Sequence, residues 1–173
     1  RQALQYARTF GALIVEHAEE PTLAAGGAMN AGEVSTRLGL VGIPREAEVI
    51  IVERDLHLVR LTGGQLHFAH LSTAAAIDAV RQAKRSGLAV TCDTAPPYFA
   101  MNENAVGDYR TFAKLSPPLR AEEDRLAVIE DISARKAAEI ALRELTATLE
   151  GKQEFAGREC VAIKVAYTTK SGN

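Results

Sequence analysis

The sequence has few cysteines, no long apolar run and little net charge, and each shortage excludes a class of protein. Its two cysteines, Cys92 and Cys160, lie far apart and form no CxxC pair. Such isolated cysteines are typical of reduced thiols in a cytoplasmic protein, with a single disulfide as the alternative. No apolar run approaches the roughly 18 residues of a membrane span, and no signal peptide is visible. A net charge of −2 favours neither nucleic acid nor an anionic membrane as a partner.

What the chain does contain is enough for a packed domain. It has 173 residues, of which 47% are hydrophobic, and this length is typical of one domain. The chain begins at Arg1 without a methionine, and Leu4, Ala7 and Phe10 already follow helical spacing. We therefore expect the sequence to start within an element, as a fragment would.

Helical and strand-like segments alternate along the chain. The predicted helices cover residues 2–10, 45–64 and 73–87, with another opening at 117. The predicted strands lie at residues 12–20, 65–72, 88–95 and 111–116. Short apolar strands alternating with helices predict parallel pairing and right-handed crossovers. A doubly wound sheet and part of a (β/α)₈ barrel both fit this pattern, and a full barrel needs about 250 residues.

A glycine-rich loop over residues 21–44 separates the first strand from the next helix. Its length and glycine content predict a mobile surface segment. Apolar side chains between Val34 and Ile43 make it too hydrophobic for a free linker. We therefore predict that the loop packs on the top of the barrel or on a neighbouring subunit, with a short helix at 32–38.

Polar residues follow each predicted strand, where ligands gather in parallel α/β folds. They are Glu16, His17 and Glu19; His70, Ser72 and Thr73; Asp93 and Thr94; Lys114 and Ser116. Imidazole nitrogens from neighbouring strand ends can converge on a zinc ion. The alternative is that His17 and His70 are ordinary hydrogen-bonded core residues. By strand alternation, His67 and His70 are predicted to face opposite sides of the sheet, and His57 to face solvent.

Three segments resemble a known family. "ALIVEHAEEPTLAAGGAMNAGEVSTRLGLVGIPREAE", "LTGGQLHFAHLSTA" and "FAKLSPPLRAEEDRLAVI" resemble the middle of bacterial dihydroorotases of the type associated with aspartate transcarbamoylase, over about residues 1–130. The resemblance implies an α/β fold, a partial (β/α)₈ TIM barrel of the amidohydrolase type with a helical C-terminal extension. It also implies zinc-dependent interconversion of carbamoyl aspartate and dihydroorotate in pyrimidine biosynthesis.

The resemblance also implies site residues. "VEHAEEP" places His17, and "HFAHLST" places His70, at positions of zinc ligands. Ser116 and Arg120 take the substrate-binding positions, although Ser116 stands where the family has asparagine. Other family features are missing: the HxH pair, the bridging carboxylate, the aspartate of "DHAPH", and the histidines of "PHH", which read Pro96-Pro97-Tyr98 here. No catalytic residue is assigned, and this chain alone is expected to be inactive or nearly so.

The same substitutions leave a second functional class open. "PPY" and "SPPLR" are similar to noncatalytic dihydroorotase-like subunits, which serve as scaffolds for aspartate transcarbamoylase. The expected partners are therefore a small-molecule substrate if the chain is active, and aspartate transcarbamoylase or further copies of the chain. No nucleic acid and no membrane are expected.

The tail over residues 131–173 lies outside the resemblance. Ala138, Leu142, Leu145 and Leu149 form an apolar helical stripe. Residues 160–167 alternate as a strand does, and the last six residues are predicted to be disordered. A change of reading frame, a fusion or an engineered boundary near residue 130 each fits this break.

Overall fold

The computed structural model describes the backbone of residues 1–155 and the side chains of residues 1–143. The chain forms two units, the first being Arg1–Asp131 and the second beginning at Ile132. The boundary expected from the sequence, between residues 130 and 131, lies one residue before this division. The described part of the second unit is helical. The strand predicted at 160–167 and the disordered end lie outside the described residues.

Helices and strands alternate through the first unit. The helices are α1 Gln2–Thr9, α2 Pro21–Ala24, α3 Glu33–Leu38, α4 Glu46–Thr62, α5 Ala74–Arg85, α6 Pro96–Ala100 and α7 Glu122–Phe155. The strands are β1 Leu13–His17, β2 Met29–Asn30, β3 Gly42–Ile43, β4 Gln65–Ala69 and β5 Val90–Cys92. Two 3₁₀ helices occupy Glu103–Val106 and Thr111–Ala113. No helix among residues 1–155 is long and apolar enough to cross a membrane.

Three strands form a parallel sheet in the order β1-β4-β5. Leu13 pairs with Gln65 and His17 with Ala69, while Leu66 pairs with Val90. The α/β class, the parallel pairing and three of the four predicted strands are therefore confirmed. Local signals bound two of the helices: Gly63 ends α4 with a φ of 67°, and the Thr73 hydroxyl caps the N-terminus of α5.

The strand predicted at 111–116 is wrong. Thr111–Ala113 forms a 3₁₀ helix in which Ala113 is buried and Phe112 is 67% exposed. Pro117 and Pro118 follow directly, and proline has no N–H to donate to a strand ladder. Ala113 packs in an apolar cluster and does not belong to a sheet.

The sheet buries one face under helices. Leu66 and Phe68 of β4 and Val90 of β5 pack with Val52 and Val80 of α4 and α5. On the opposite face, Leu13 is 50% exposed and Val15 is 63% exposed. The period of two in β1 produces this division, because successive side chains point to opposite faces. Polar groups at the end of the sheet are therefore carried by a rigid, helix-backed layer.

The segment over residues 21–44 is ordered into α2, β2, α3 and β3. β2 and β3 form a two-stranded parallel sheet, and the helix predicted at 32–38 is confirmed as α3. Gly42 is required by this pairing, since a Cβ there would lie 2.4 Å from the Ala31 Cα. Met29 and Val34 pack against Tyr98 of α6 in a second apolar cluster. The segment thus packs within the first unit.

Candidate functional site

The two histidines singled out in the sequence meet at the carboxyl end of the sheet. His17 is the last residue of β1, and His70 directly follows β4. Their ring centroids lie 6.2 Å apart with an interplanar angle of 63°. The prediction that His17 and His70 approach each other is confirmed, because the strands that carry them are parallel neighbours.

The His17 ring is held by the segment that follows the second 3₁₀ helix. Its Nε2 lies 3.2 Å from the carbonyl oxygen of Ser116. A carbonyl only accepts, so Nε2 carries the proton of this hydrogen bond and Nδ1 keeps its lone pair. The Ser116 hydroxyl donates to Glu19 Oε2 at 3.0 Å. Ser116 therefore contacts the site through its backbone, and its side chain fixes a neighbouring carboxylate.

His70 adopts a backbone conformation that is uncommon for a residue with a side chain. Its φ is 60°, and such strain persists only where surrounding contacts hold it in place. Asp93 provides these contacts: Oδ1 accepts from the His70 backbone N–H at 2.6 Å and lies 3.2 Å from Nδ1. The next N–H, of Leu71, donates to the Asp93 carbonyl at 3.0 Å.

His67 does not point away from His70, and that prediction is wrong. His67 Nε2 lies 3.1 Å from Asp93 Oδ2, so both histidines contact the same carboxylate. Strand alternation stops at Ala69, where β4 ends, and the positive φ of His70 turns its side chain back. His57, by contrast, is exposed on α4 as predicted.

The pKa of Asp93 reflects these contacts. Partial burial raises it, but the hydrogen bonds from the His70 N–H and from His67, together with the charges of both rings, lower the pKa below its usual value. Asp93 is thus an ionised acceptor between two imidazoles near neutral pH.

A buried ionic network supports the turn that carries His70. Glu48 of α4, 2% exposed, accepts hydrogen bonds from the backbone N–H and the hydroxyl of both Ser72 and Thr73. Arg120 donates from Nε to the Ser72 hydroxyl at 3.0 Å, and its Nη2 lies 3.9 Å from Glu48. The carboxylate also lies at the N-terminus of α5, where negative charge is favoured.

Arg120 is buried, with 3% of its side chain exposed. Its Nη1 donates to Asn30 Oδ1 and to the Ile43 carbonyl, both at 3.2 Å. The guanidinium therefore joins β2 and β3 to the start of α5. Substrate binding by Arg120 stays a prediction, and the described geometry favours a structural role for this side chain.

The chemistry of the donor set fits part of a zinc site. The Nδ1 lone pair of His17 could bind a metal ion. The Asp93 carboxylate lies beside Nδ1 of His70, and a carboxylate at the second ring nitrogen is typical of histidines that bind metal. Among residues 1–143, no group of three or more histidine, cysteine or acidic side chains is positioned to hold a metal ion. The two imidazoles thus fit two positions of a site that needs further ligands.

A second pair of carboxyl groups lies beside the site, between β1 and α4. Arg54 donates to Asp55 Oδ1 at 2.7 Å and to Glu16 Oε1 at 3.3 Å. Asp55 is buried, and its Oδ2 has no hydrogen-bond partner among the described side chains. Burial, followed by hydrogen bonding and charge repulsion with Asp55, raises the pKa of Glu16 to about 7. Glu16 therefore retains its proton at mildly acidic pH.

This raised pKa predicts a specific pH dependence of stability. The folded state binds the Glu16 proton more tightly than the unfolded state, so the stabilisation is complete below about pH 4.5 and is lost as the pH rises through about 7. We expect Glu16→Gln to raise the urea midpoint at pH 8 and to flatten its decline between pH 5 and 8. Glu53→Gln, on the exposed face of α4, is the control. A wild-type midpoint that rises over this range would contradict the assignment.

Two contributors to the site were not identified as such from the sequence. Asp93 belonged to the set of polar residues at strand ends, but nothing in its local pattern distinguished it from Thr94. Glu48 lies in a helix of mixed charge, and no local signal marks it as buried. Both act through contacts more than twenty positions away, 23 for Asp93 with His70 and 24 for Glu48 with Ser72.

Comparisons with known proteins agree with one another. The "Dihydro-orotase-like" family model matches residues 1–76. The dihydroorotase of Desulforapulum autotrophicum is 48% identical over 132 residues, covering 76% of this chain and 31% of the relative. That of Desulfotalea psychrophila is 51% identical over 128 residues, covering 74% and 30%.

Solved structures of a hydantoinase and a dihydropyrimidinase are also similar to this chain. A D-hydantoinase from Bacillus sp. AR9 matches with a TM-score of 0.59 and 27% identity, covering 73% of this chain and 29% of that one. A dihydropyrimidinase from Brevibacillus agri matches with a TM-score of 0.57 and 27% identity, covering 72% and 28%. The chain spans about 30% of the length of its curated relatives. The matched residues 1–76, which include the strand ends that carry His17 and His70, are thus similar to the dihydroorotase-like family.

Proposed function

We propose that the first unit is a segment of a zinc-dependent dihydroorotase, which interconverts carbamoyl aspartate and dihydroorotate in pyrimidine biosynthesis. The observation that carries this proposal is the meeting of His17 and His70 at the carboxyl ends of adjacent parallel strands. Ligand sites of parallel α/β folds lie at this edge. A zinc ion there would polarise a ring carbonyl and activate water.

The proposed architecture is part of a (β/α)₈ barrel. Three parallel strands with helices on one face, and exposed Leu13 and Val15 on the other, are consistent with a barrel wall whose remaining strands belong to the longer relatives. Within that barrel, His17 and His70 would supply two zinc ligands. Ser116 and Arg120 are retained as substrate-side positions, with Ser116 nearer to the histidines.

The cellular setting is also part of the proposal. A dihydroorotase segment with isolated cysteines belongs in the cytoplasm. Its partners would be a small-molecule substrate, further copies of the chain and aspartate transcarbamoylase. The noncatalytic scaffold role is not favoured, because the curated relatives described above are themselves named dihydroorotase.

Zinc binding tests the ligand assignment directly. We expect His70→Ala to weaken Zn²⁺ binding to the chain by about tenfold or more, since losing even a partner of a ligand costs about 10–100-fold. Isothermal titration with Zn²⁺ measures this change. His57→Ala, which removes an exposed imidazole from α4, is the matched control. Equal affinities of the wild type and His70→Ala would discard His70 as a ligand.

Activity requires the rest of the barrel, so it is tested in a chimera. Residues 1–131 replace the corresponding segment of the Desulforapulum autotrophicum dihydroorotase, and dihydroorotate turnover is measured. We expect a folded, zinc-loaded chimera to be active and its His17→Ala and His70→Ala variants to be inactive. A chimera that folds and binds zinc but shows no turnover would count against the catalytic proposal.

A further inference from the structure

The turn over residues 116–118, which meets the His17 ring, is poor in hydrogen-bond donors of its own. The Ser116 carbonyl oxygen forms a hydrogen bond with His17 Nε2 at 3.2 Å, and the next two residues are Pro117 and Pro118. Proline has no N–H, so neither proline can tie the turn to another acceptor. Both prolines are buried, and the buried carbonyl oxygen of Pro117 therefore needs a donor from elsewhere in the chain.

Tyr98 supplies this donor. Its hydroxyl donates to the Pro117 carbonyl oxygen at 2.9 Å in a buried hydrogen bond. The tyrosine ring lies in an apolar cluster with Ala113 and Leu119, which precede and follow the turn. Tyr98 belongs to α6, which begins shortly after β5 ends. The turn is therefore held by an element that follows directly from the main sheet.

The Tyr98 hydroxyl keeps its proton at neutral pH. Burial, followed by the negative charge of Glu48, raises the pKa of Tyr98 to about 12, although the charge of Arg120 opposes this. A neutral phenol can donate one hydrogen bond, and here the Pro117 carbonyl accepts it.

We propose that Tyr98 is a positioning residue whose hydroxyl holds the Pro117 carbonyl and thereby sets the Ser116 carbonyl against the His17 ring. The two carbonyl groups are coupled through Pro117. Its ring fixes φ, and the following Pro118 restricts its ψ, so the carbonyl groups on both sides of Pro117 move nearly together.

The consequence for metal binding rests on the proposed function. A backbone carbonyl at the second ring nitrogen orients a metal-ligating histidine, and the Ser116 carbonyl has this place at His17. Tyr98 touches neither His17 nor a metal ion in this arrangement. Its effect on zinc affinity would pass through the turn, whereas the position of the turn follows from the hydrogen bonds alone.

Exchange of the tyrosine hydroxyl protons with water tests the hydrogen bond in the wild-type chain. NMR of tyrosine labelled with ¹³C at Cζ detects this exchange in mixed H₂O and D₂O, because slow exchange splits each signal and fast exchange averages it. We expect a split signal for Tyr98 and an averaged one for Tyr6, which is 71% exposed on α1. An averaged Tyr98 signal would overturn the proposal without any variant.

Tyr98→Phe removes the hydroxyl and keeps the ring in its apolar cluster. We expect trypsin to cleave the folded variant after Lys114 about fivefold faster or more, because cleavage follows the population of the opened turn and one lost hydrogen bond changes this population by about that factor. Cleavage after Lys84, near the end of α5, should keep its wild-type rate. Tyr6→Phe removes the same atom from an exposed position and is the matched control. Equal acceleration at Lys84 and Lys114 would mean that Tyr98 only stabilises the fold as a whole, and would refute the positioning role.

The His17 ring reports the position of the turn directly. We expect Tyr98→Phe to shift the His17 ring signals in ¹H–¹³C NMR spectra of the whole chain and to leave those of the exposed His57 unchanged. Phenylalanine keeps the aromatic ring, so a shift at His17 would come from the moved turn and not from a lost ring. Single His→Gln variants assign the signals. Unchanged His17 signals in a folded Tyr98→Phe variant would refute the proposal.

A Zn²⁺ titration of the same samples separates this proposal from the function on which its consequence rests. We expect Zn²⁺ to shift the His17 signals, with an affinity in Tyr98→Phe that is lower by about two- to tenfold, less than the roughly 10–100-fold cost of losing a direct partner of a ligand. Wild-type His17 signals that do not respond to Zn²⁺, together with the expected exchange and cleavage results, would contradict the proposed zinc site while supporting the role of Tyr98. Equal zinc affinities of the wild type and Tyr98→Phe would contradict the positioning of His17 for metal.

Discussion

Glu48→Gln is expected to destabilise the first unit by about 3–5 kcal/mol, the cost of breaking a buried ionic contact by removing one partner. The wild-type carboxylate accepts from two backbone N–H groups and two hydroxyls, and Arg120 lies 3.9 Å away. Glutamine has one acceptor oxygen and a donor nitrogen. The variant therefore leaves buried donors without acceptors and removes the counterion that lies 3.9 Å from Arg120.

Urea unfolding followed by circular dichroism measures this loss. Glu46→Gln, on the exposed side of the same helix, should stay within about 0.5 kcal/mol of the wild type. A Glu48→Gln midpoint equal to that of Glu46→Gln would show that the network contributes little to stability.

A double-mutant cycle with Arg120→Met tests whether the two charges act as one network. Because Arg120 loses its counterion at 3.9 Å once Glu48 is replaced, the double variant should lose less stability than the sum of the two single variants. Exact additivity would mean that Arg120 and Glu48 stabilise the fold independently. The same variants report on the His70 turn, since Ser72 and Thr73 directly follow it.

Phe68→Ala is expected to cost about 3–5 kcal/mol. Phe68 is 0% exposed and lies on β4, the central strand, where it packs into the core between sheet and helices. Its truncation removes buried apolar contact and leaves a cavity that a sheet backed by helices closes only partly. Since small domains are stable by only about 5–15 kcal/mol, this loss alone threatens folding.

Phe112→Ala is the matched control, because Phe112 is 67% exposed in the segment that was predicted as a strand. It should change the free energy of unfolding by no more than about 0.5 kcal/mol. A large loss in Phe112→Ala, comparable with that in Phe68→Ala, would contradict the placement of this segment outside the sheet.

The sequence by itself determined the three strands of the main sheet, the helices α1, α4 and α5, and the meeting of His17 with His70. Three local features set these elements. Side chains alternate with a period of two over residues 13–17 and 65–69, a glycine follows α4, and a hydroxyl precedes α5. Each feature works through the sterics and hydrogen bonds of neighbouring residues. Parallel pairing then brings the two strand ends together without knowledge of any side-chain contact.

Only the tertiary structure decided which groups surround these histidines. His67 and His70 share Asp93 because the chain turns after Ala69, and strand periodicity does not extend past that residue. Glu48 and Arg120 are buried because helices and loops distant in sequence close over them; Arg120 and Ser72 are 48 positions apart. Hydrogen bonds to buried charges depend on which elements pack together, and no local pattern encodes that packing.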